Sequence, residues 1–149
     1  MSVLVTGGAG YIGSHVARII SQSGTEVQVV DNNSTGLDSR VLGLPSTNLE
    51  LSDPGATAVL EQLMSAHKVT AVVHLAALKQ VGESVEKPEE YFLKNLGGQA
   101  NLLTAMKNTG VKKLVFSSSA ASYGVPDVDS VSESERPEPI NPYGQTKLI

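Results

Sequence analysis

Apolar residues fall along the chain in two alternating arrangements, short unbroken runs and longer stretches with a helical repeat. The runs are VLV at 3–5, VQVV at 27–30, LEL at 49–51, VTAVVHL at 69–75 and KKLVFS at 112–117. Short runs rich in Val and Leu predict buried strands. Between the first two, Ile12, Val16, Ile19 and Ile20 fall at i, i+4, i+7 and i+8, a single apolar stripe that Gly24 can end as a C-cap. A second helix is predicted over residues 57–67, with Val59, Leu60, Leu63 and Met64 inward. A third, longer one starts near Pro88, a residue tolerated in a first turn, with Glu89 and Glu90 placed against the positive helix end. Phe92, Leu96, Leu103 and Met106 mark its expected buried face.

Strands that alternate with helices must be joined by crossovers between parallel neighbours. The predicted fold class is therefore α/β, a doubly wound parallel sheet with right-handed connections. Residues 125–142 break the alternation, with four Pro and neither period, and predict a long loop. Its acids (Asp127, Asp129, Glu133, Glu135 and Glu138) against Arg136 leave a balance of −4, equal to the net charge of the whole chain. For the charges alone, a solvated loop is the simplest reading. Asn141 and Pro142 read as the N-cap and first position of one more helix.

Composition narrows the function without naming it. With 149 residues, 40% apolar and 17% charged, residues 1–149 fit one globular domain. Eleven basic residues against 15 acidic ones exert no pull on nucleic acid or an anionic membrane, so small molecules or proteins are the expected partners. The absence of Cys excludes disulfides, thiol nucleophiles and Cys-based zinc sites. The longest apolar stretch, residues 69–78, contains His74 and is far shorter than the roughly 20 residues of a membrane span. The first residues lack the basic start and apolar run of a signal peptide, and the expected compartment is the cytoplasm.

Candidate chemistry begins at VLVTGGAGYIGSH, which puts Gly8, Gly10 and Gly13 in GxGxxG spacing directly after a strand and at the start of a helix. Glycines there permit a tight turn and let the backbone approach a pyrophosphate, which the free N–H groups of the helix start can bind. Asp31 ends the next strand, 18 residues after Gly13, where a carboxylate can accept hydrogen bonds from a ribose diol. It would repel a 2′-phosphate, and Asn32 and Asn33 offer no compensating cation, so NAD is expected rather than NADP. Asp53 could meet an adenine amino group or cap the second helix. His74, inside an apolar strand, reads as a buried and hydrogen-bonded packing residue. Lys79 follows that strand at the sheet's carboxyl edge, as a cofactor contact or a surface lysine.

Tyr143 and Lys147 stand four apart at a helix start, which puts both side chains on one face about 6 Å apart along the axis. A fixed cation nearby favours the phenolate, and lowering a Tyr pKa by about 3 units takes roughly 4 kcal/mol. Ser117, Ser118 and Ser119 end the fifth strand at the same crevice, where a hydroxyl can bond a substrate oxygen. A Ser, Tyr and Lys grouping at a dinucleotide site suggests hydride transfer coupled to proton transfer.

These residues bring out a resemblance to the extended short-chain dehydrogenase/reductase family, most closely to its UDP-glucose (UDP-galactose) 4-epimerases, over essentially the whole chain. TGGAGYIGSH, HLAALKQVGES with KPEEYF, FSSSAASYG and PYGQTK are similar to that group's successive motifs, and HLAALKQVGES is the most discriminating. The resemblance implies a Rossmann-type NAD-binding domain in which Gly7, Gly10, Tyr11, Ile12 and Gly13 serve the pyrophosphate. Asp31 and Asn32 would serve the adenosine ribose and Asp53 the adenine, with Lys79 and Asn95 lining the cofactor cleft. Ser119 would bind the sugar 4-oxygen, Tyr143 would be the acid/base, and Lys147 would hold the nicotinamide ribose and tune Tyr143.

The implied reaction is 4-epimerisation of a UDP-sugar through a 4-keto intermediate, without net oxidation. Related nucleotide-sugar dehydratases carry an Asp-Glu pair where this chain has Ala120 and Ala121, which lack the acid and base needed to eliminate water. The resemblance further implies more strands, a closing loop and a UDP-gripping domain beyond Ile149. The sheet is thus expected to be truncated after its fifth strand, with weak NAD binding and no turnover by the isolated chain. A homodimer through the long helices is also implied. The competing readings are an NAD-binding module or sensor without catalysis, or another NAD-dependent nucleotide-sugar epimerase/dehydratase.

Overall fold

The computed structural model describes residues 1–149. Five parallel strands, β1 (Ser2–Thr6), β2 (Glu26–Asp31), β3 (Ser46–Asn48), β4 (Val69–His74) and β5 (Lys113–Phe116), form one sheet in the order β3-β2-β1-β4-β5. The order runs outward from β1 to β3 and then returns to the other side of β1. That reversal opens a crevice at the strands' carboxyl ends, where such sheets bind ligands. On one face of the sheet Leu4, Val30 and Val72 pack with Leu60 and Met64 of α2 (Ala56–Ala66) and Leu102 and Ala105 of α5 (Gly97–Thr109). On the other, Val5, Val27 and Val29 pack with Ala17 of α1 (Tyr11–Gln22). Both faces are covered at β1, which is why its central residues Val3, Leu4 and Val5 are apolar without alternation. No helix is long and apolar enough to cross a membrane.

The predicted strands hold except at residues 49–51. The edge strand on this side of the sheet is β3, defined by Val29, Val30 and Asp31 pairing with Ser46, Thr47 and Asn48, and its side chains show no apolar run. Leu51 instead enters the core from the turn after it. The stripe on α1 is also shifted: Gly13, Ser14 and Ala17 are buried, whereas Ile12 and Ile19 are 61% and 65% exposed. The helix lies so close to the preceding turn that a Cβ at residue 13 would stand 2.0 Å from the Gly7 carbonyl oxygen, which turns the small residues inward. Gly24, at φ +84°, ends the helix as expected.

The third predicted helix is three pieces: α4 (Pro88–Tyr91), a π-helical turn (Phe92–Leu96) and α5. The extra residue of the π turn advances the phase, so Tyr91, Asn95, Leu102 and Ala105 are buried while Leu103 is 42% exposed. Gly98 answers a close approach, since a Cβ there would lie 3.0 Å from that of Leu51, whereas Gly97 meets nothing closer than 3.7 Å. A short α3 (Val81–Glu86) precedes it. Between Tyr123 and Pro142 the chain forms neither helix nor strand. Asn141 then caps α6 (Pro142–Leu148), its Oδ1 accepting the Gly144 N–H at 2.8 Å.

Candidate functional site

The turn between β1 and α1 forms one wall of the crevice. Gly7 holds φ +70°, and a Cβ on it would lie 2.6 Å from the Ala76 nitrogen, so the backbones of β1 and β4 meet at their ends only because no side chain intervenes. The amides of Tyr11, Ile12 and Gly13 find no backbone acceptor, as the first turn of a helix requires. Asp31, 8% exposed, braces this turn: Oδ2 accepts the Ala9 N–H at 2.9 Å and Oδ1 the Asn33 N–H at 2.8 Å. Each oxygen keeps lone-pair capacity for a further donor. Arg40, which no sequence motif marks, donates to the Ala9 carbonyl at 3.5 Å.

The far end of the crevice corrects one expectation. Asp53 is exposed and outside the cavity lining, and Gly55, not Asp53, occupies the N-cap of α2. Glu50 lines the cavity instead. Its carboxylate accepts from Asn32 Nδ2 at 2.8 Å and from the Ser52 hydroxyl at 3.0 Å, and Lys94 stands 3.8 Å away. Burial works to raise its pKa, but the Ser52 amide, the Asn32 and Ser52 side chains and the Lys94 charge outweigh it and hold Glu50 below its ordinary value. The acid was missed because its place depends on the turn after β3. The available signal was an apolar LEL whose central residue is charged.

Gly7, Gly10, Asp31, Asn32, Lys79 and Asn95 all line this cavity. Lys79 is exposed there. Asn95, in the π turn, is 7% exposed and grips both backbone groups of Leu78, accepting its N–H at 2.8 Å and donating to its C=O at 3.0 Å. Its other amide hydrogen reaches Thr146 Oγ1 on α6 at 3.0 Å. Asn95 therefore has little capacity left for a ligand and acts chiefly as a bracket. On the other side of Lys79, the Gln80 N–H donates to the Tyr91 hydroxyl, which donates to Glu83, both at 2.9 Å. Burial and then that carboxylate push the Tyr91 pKa up to about 12, so the phenol remains a donor.

Ser119, Tyr143 and Lys147 lie outside the cavity wall, and the 3-10 turn that Ser119 caps packs against α6, which carries the other two. Ser119 caps a 3-10 turn (Ala120–Tyr123), its Oγ accepting the Ala121 N–H at 3.2 Å and keeping its own proton to donate. Tyr143 is half-buried in the first turn of α6, one turn before Lys147. The Lys147 ammonium does not hydrogen-bond the phenol. It donates to the Ser117 carbonyl at 2.9 Å and lies 4.9 Å from the centroid of the Phe116 ring. Burial lowers its pKa to about 8. His74 is packed as expected, 3% exposed, with Nδ1 2.6 Å from Thr6 Oγ1.

The model of the NAD dependent epimerase/dehydratase family matches residues 3–149. The chain belongs to that family. It is 45% identical to the UDP-glucose 4-epimerase of Corynebacterium glutamicum over 148 residues, 99% of this chain and 44% of that one. A second relative, UDP-glucose 4-epimerase 2 of Oryza sativa, is 48% identical over 159 residues, 99% of this chain and 38% of its own. The solved UDP-glucose 4-epimerase of Brucella ovis in complex with NAD superposes with a TM-score of 0.93 at 44% identity, covering 99% of this chain and 44% of that one. The Stenotrophomonas maltophila enzyme, solved with bound NAD and formylated UDP-arabinopyranose, gives a TM-score of 0.93 at 42% identity, over 99% of this chain and 46% of that one. This family member thus spans less than half the length of the relatives it matches.

Proposed function

We propose that this chain is the NAD-binding half of a UDP-hexose 4-epimerase and carries its Ser119, Tyr143 and Lys147. The observation that carries the reading is the β1–α1 turn braced by Asp31: a turn packed so closely that a Cβ at Gly7 or Gly13 would strike neighbouring backbone, with unpaired amides at the helix start. The amides of Tyr11 and Ile12 would take the pyrophosphate. Asp31 and Asn32 would take the adenosine ribose, Glu50 would replace Asp53 at the adenine, and Lys79 would face the opposite end. NAD, when bound, supplies the acceptor and donor for the hydride of the sugar carbon. Tyr143 would take the sugar hydroxyl proton at its phenol oxygen and return it after the sugar has turned over. Ser119 would donate to the sugar 4-oxygen, and Lys147 would supply the cation that favours the phenolate.

Ala120 and Ala121 support epimerisation over dehydration, because neither can move the proton that eliminating water requires. In such an epimerase the part that this chain does not span would grip the UDP and close the site, and the long helices would pair two copies in a cytoplasmic dimer. The test is to co-express the chain with the part of the Corynebacterium glutamicum relative that lies after its matched region, and to assay interconversion of UDP-glucose and UDP-galactose. The expected result is activity that Tyr143→Phe lowers by at least about 100-fold, the usual scale of general acid–base catalysis, with NAD binding retained. An unchanged rate in Tyr143→Phe would remove Tyr143 as the acid/base, and NAD binding without any interconversion by the unsubstituted pair would leave only the alternative, a binding module without this chemistry.

A further inference from the structure

Lys147 is a buried cation without a counter-ion. It is 7% exposed, and none of the chain's ion pairs includes it. Of the elements packed on α6, α3 carries Glu83 and Glu86, α4 carries Glu89, Glu90 and Tyr91, the π turn carries Lys94 and the 3-10 turn Tyr123. Glu83 is paired with Lys87 and Glu90 with Lys94. What the ammonium does have is the Ser117 carbonyl and the face of Phe116, whose centroid at 4.9 Å is well inside cation–π range.

The ring is held in turn by the sheet. Phe116 is in register with His74, and His74 with Thr6. Residues in register in a parallel sheet project from the same face, so the three form a row across the carboxyl ends of β5, β4 and β1. The Thr6 hydroxyl locks the imidazole at 2.6 Å, and the His74 and Phe116 rings lie 5.8 Å apart at a tilt of 31°. An imidazolium at that place would set a second cation near Lys147. Burial, reinforced by the lysine's own charge, lowers the His74 pKa to about 4 and keeps the ring neutral.

We propose that Phe116 is the positioning residue of Lys147: its ring face and the Ser117 carbonyl keep the buried ammonium charged and in place, and the His74–Thr6 pair fixes the ring. The inference deepens the proposed function, in which Lys147 is the cation beside the phenol. Phe116 touches neither substrate nor cofactor in that function and acts only through the lysine.

The experiment is a side-chain NMR titration of Lys147 in the 149-residue chain, assigned by loss of its signal in Lys147→Met. Position 116 carries Phe or its mono-, di- or trifluorinated analogues, which withdraw charge from the ring face with little change of shape. The midpoint, near 8 with Phe, is expected to fall in graded steps by about one pH unit at three fluorines. Phe116→Leu should fall as far, and Phe116→Tyr should restore the midpoint. A midpoint unmoved by fluorination in folded protein would overturn the proposal, even if Phe116→Leu fails to fold. No cofactor enters this measurement, so its outcome is separable from the functional reading. A graded shift in a chain that binds no NAD would sink the epimerase reading and leave the seat for Lys147 intact.

Discussion

A methyl group at residue 13 would press on the Gly7 carbonyl at 2.0 Å and on the Gly8 Cα at 2.8 Å, so Gly13→Ala must open the turn that faces the proposed pyrophosphate. The expected outcome is about tenfold or greater loss of NAD affinity, with a lowered thermal midpoint. At this scale the sequence was legible where the chemistry is local: the glycine spacing and Asp31 state their own geometry. Glu50 and Phe116 were not legible, because one is placed by the path of a turn and the other by register between strands distant in sequence. His74 makes a separate prediction. Its folded pKa, about 4, lies below the ordinary 6.5, so the unfolded chain binds the proton first. Stability present above pH about 6.5 should be lost as pH falls toward 4, by about 3 kcal/mol. Urea unfolding from pH 7 to 4.5 checks this, and His74→Gln should flatten that share of the dependence.

Helices and strands were legible as far as their side chains decide them. The central strands and α2 follow from apolar runs and a 3.6-residue period. The three-residue β3 is set by its pairing to β2, and no pattern of its own marks it. α1 shows why a stripe of large residues misleads: close approach at Gly13 gives the inner face to Ser14 and Ala17 and leaves Ile12 and Ile19 outward. The π turn is the other element a regular period cannot show, and it is what turns Asn95 inward to join the Lys79 loop to α6. Asn95→Ala would strip partners from Leu78 and Thr146 together. We expect a loss of about 3 kcal/mol in urea unfolding, since buried groups left unpaired cost about 1–3 kcal/mol each.

For the whole molecule, the fold class came from the alternation of strand and helix, and family membership from motifs spread over the full chain. The relatives carry more than twice this length of chain. In the sheet, β5 is an edge strand on which Leu114 and Val115 are 36% and 64% exposed. Unpaired edges of this kind invite pairing with another chain. Lys replacing Val115 on that edge is expected to reduce concentration-dependent self-association, read by analytical ultracentrifugation, while leaving the cleft unaltered.

The claim on which the account depends is that the β1–α1 turn and Asp31 hold NAD, and calorimetric titration of the folded 149-residue chain tests it most directly. The account predicts saturable heat with oxidised NAD, at least about tenfold weaker binding of NADP, and loss of the NAD signal in Asp31→Ala. Folded protein that gives no heat with NAD, or that binds NAD equally well after Asp31→Ala, would contradict it.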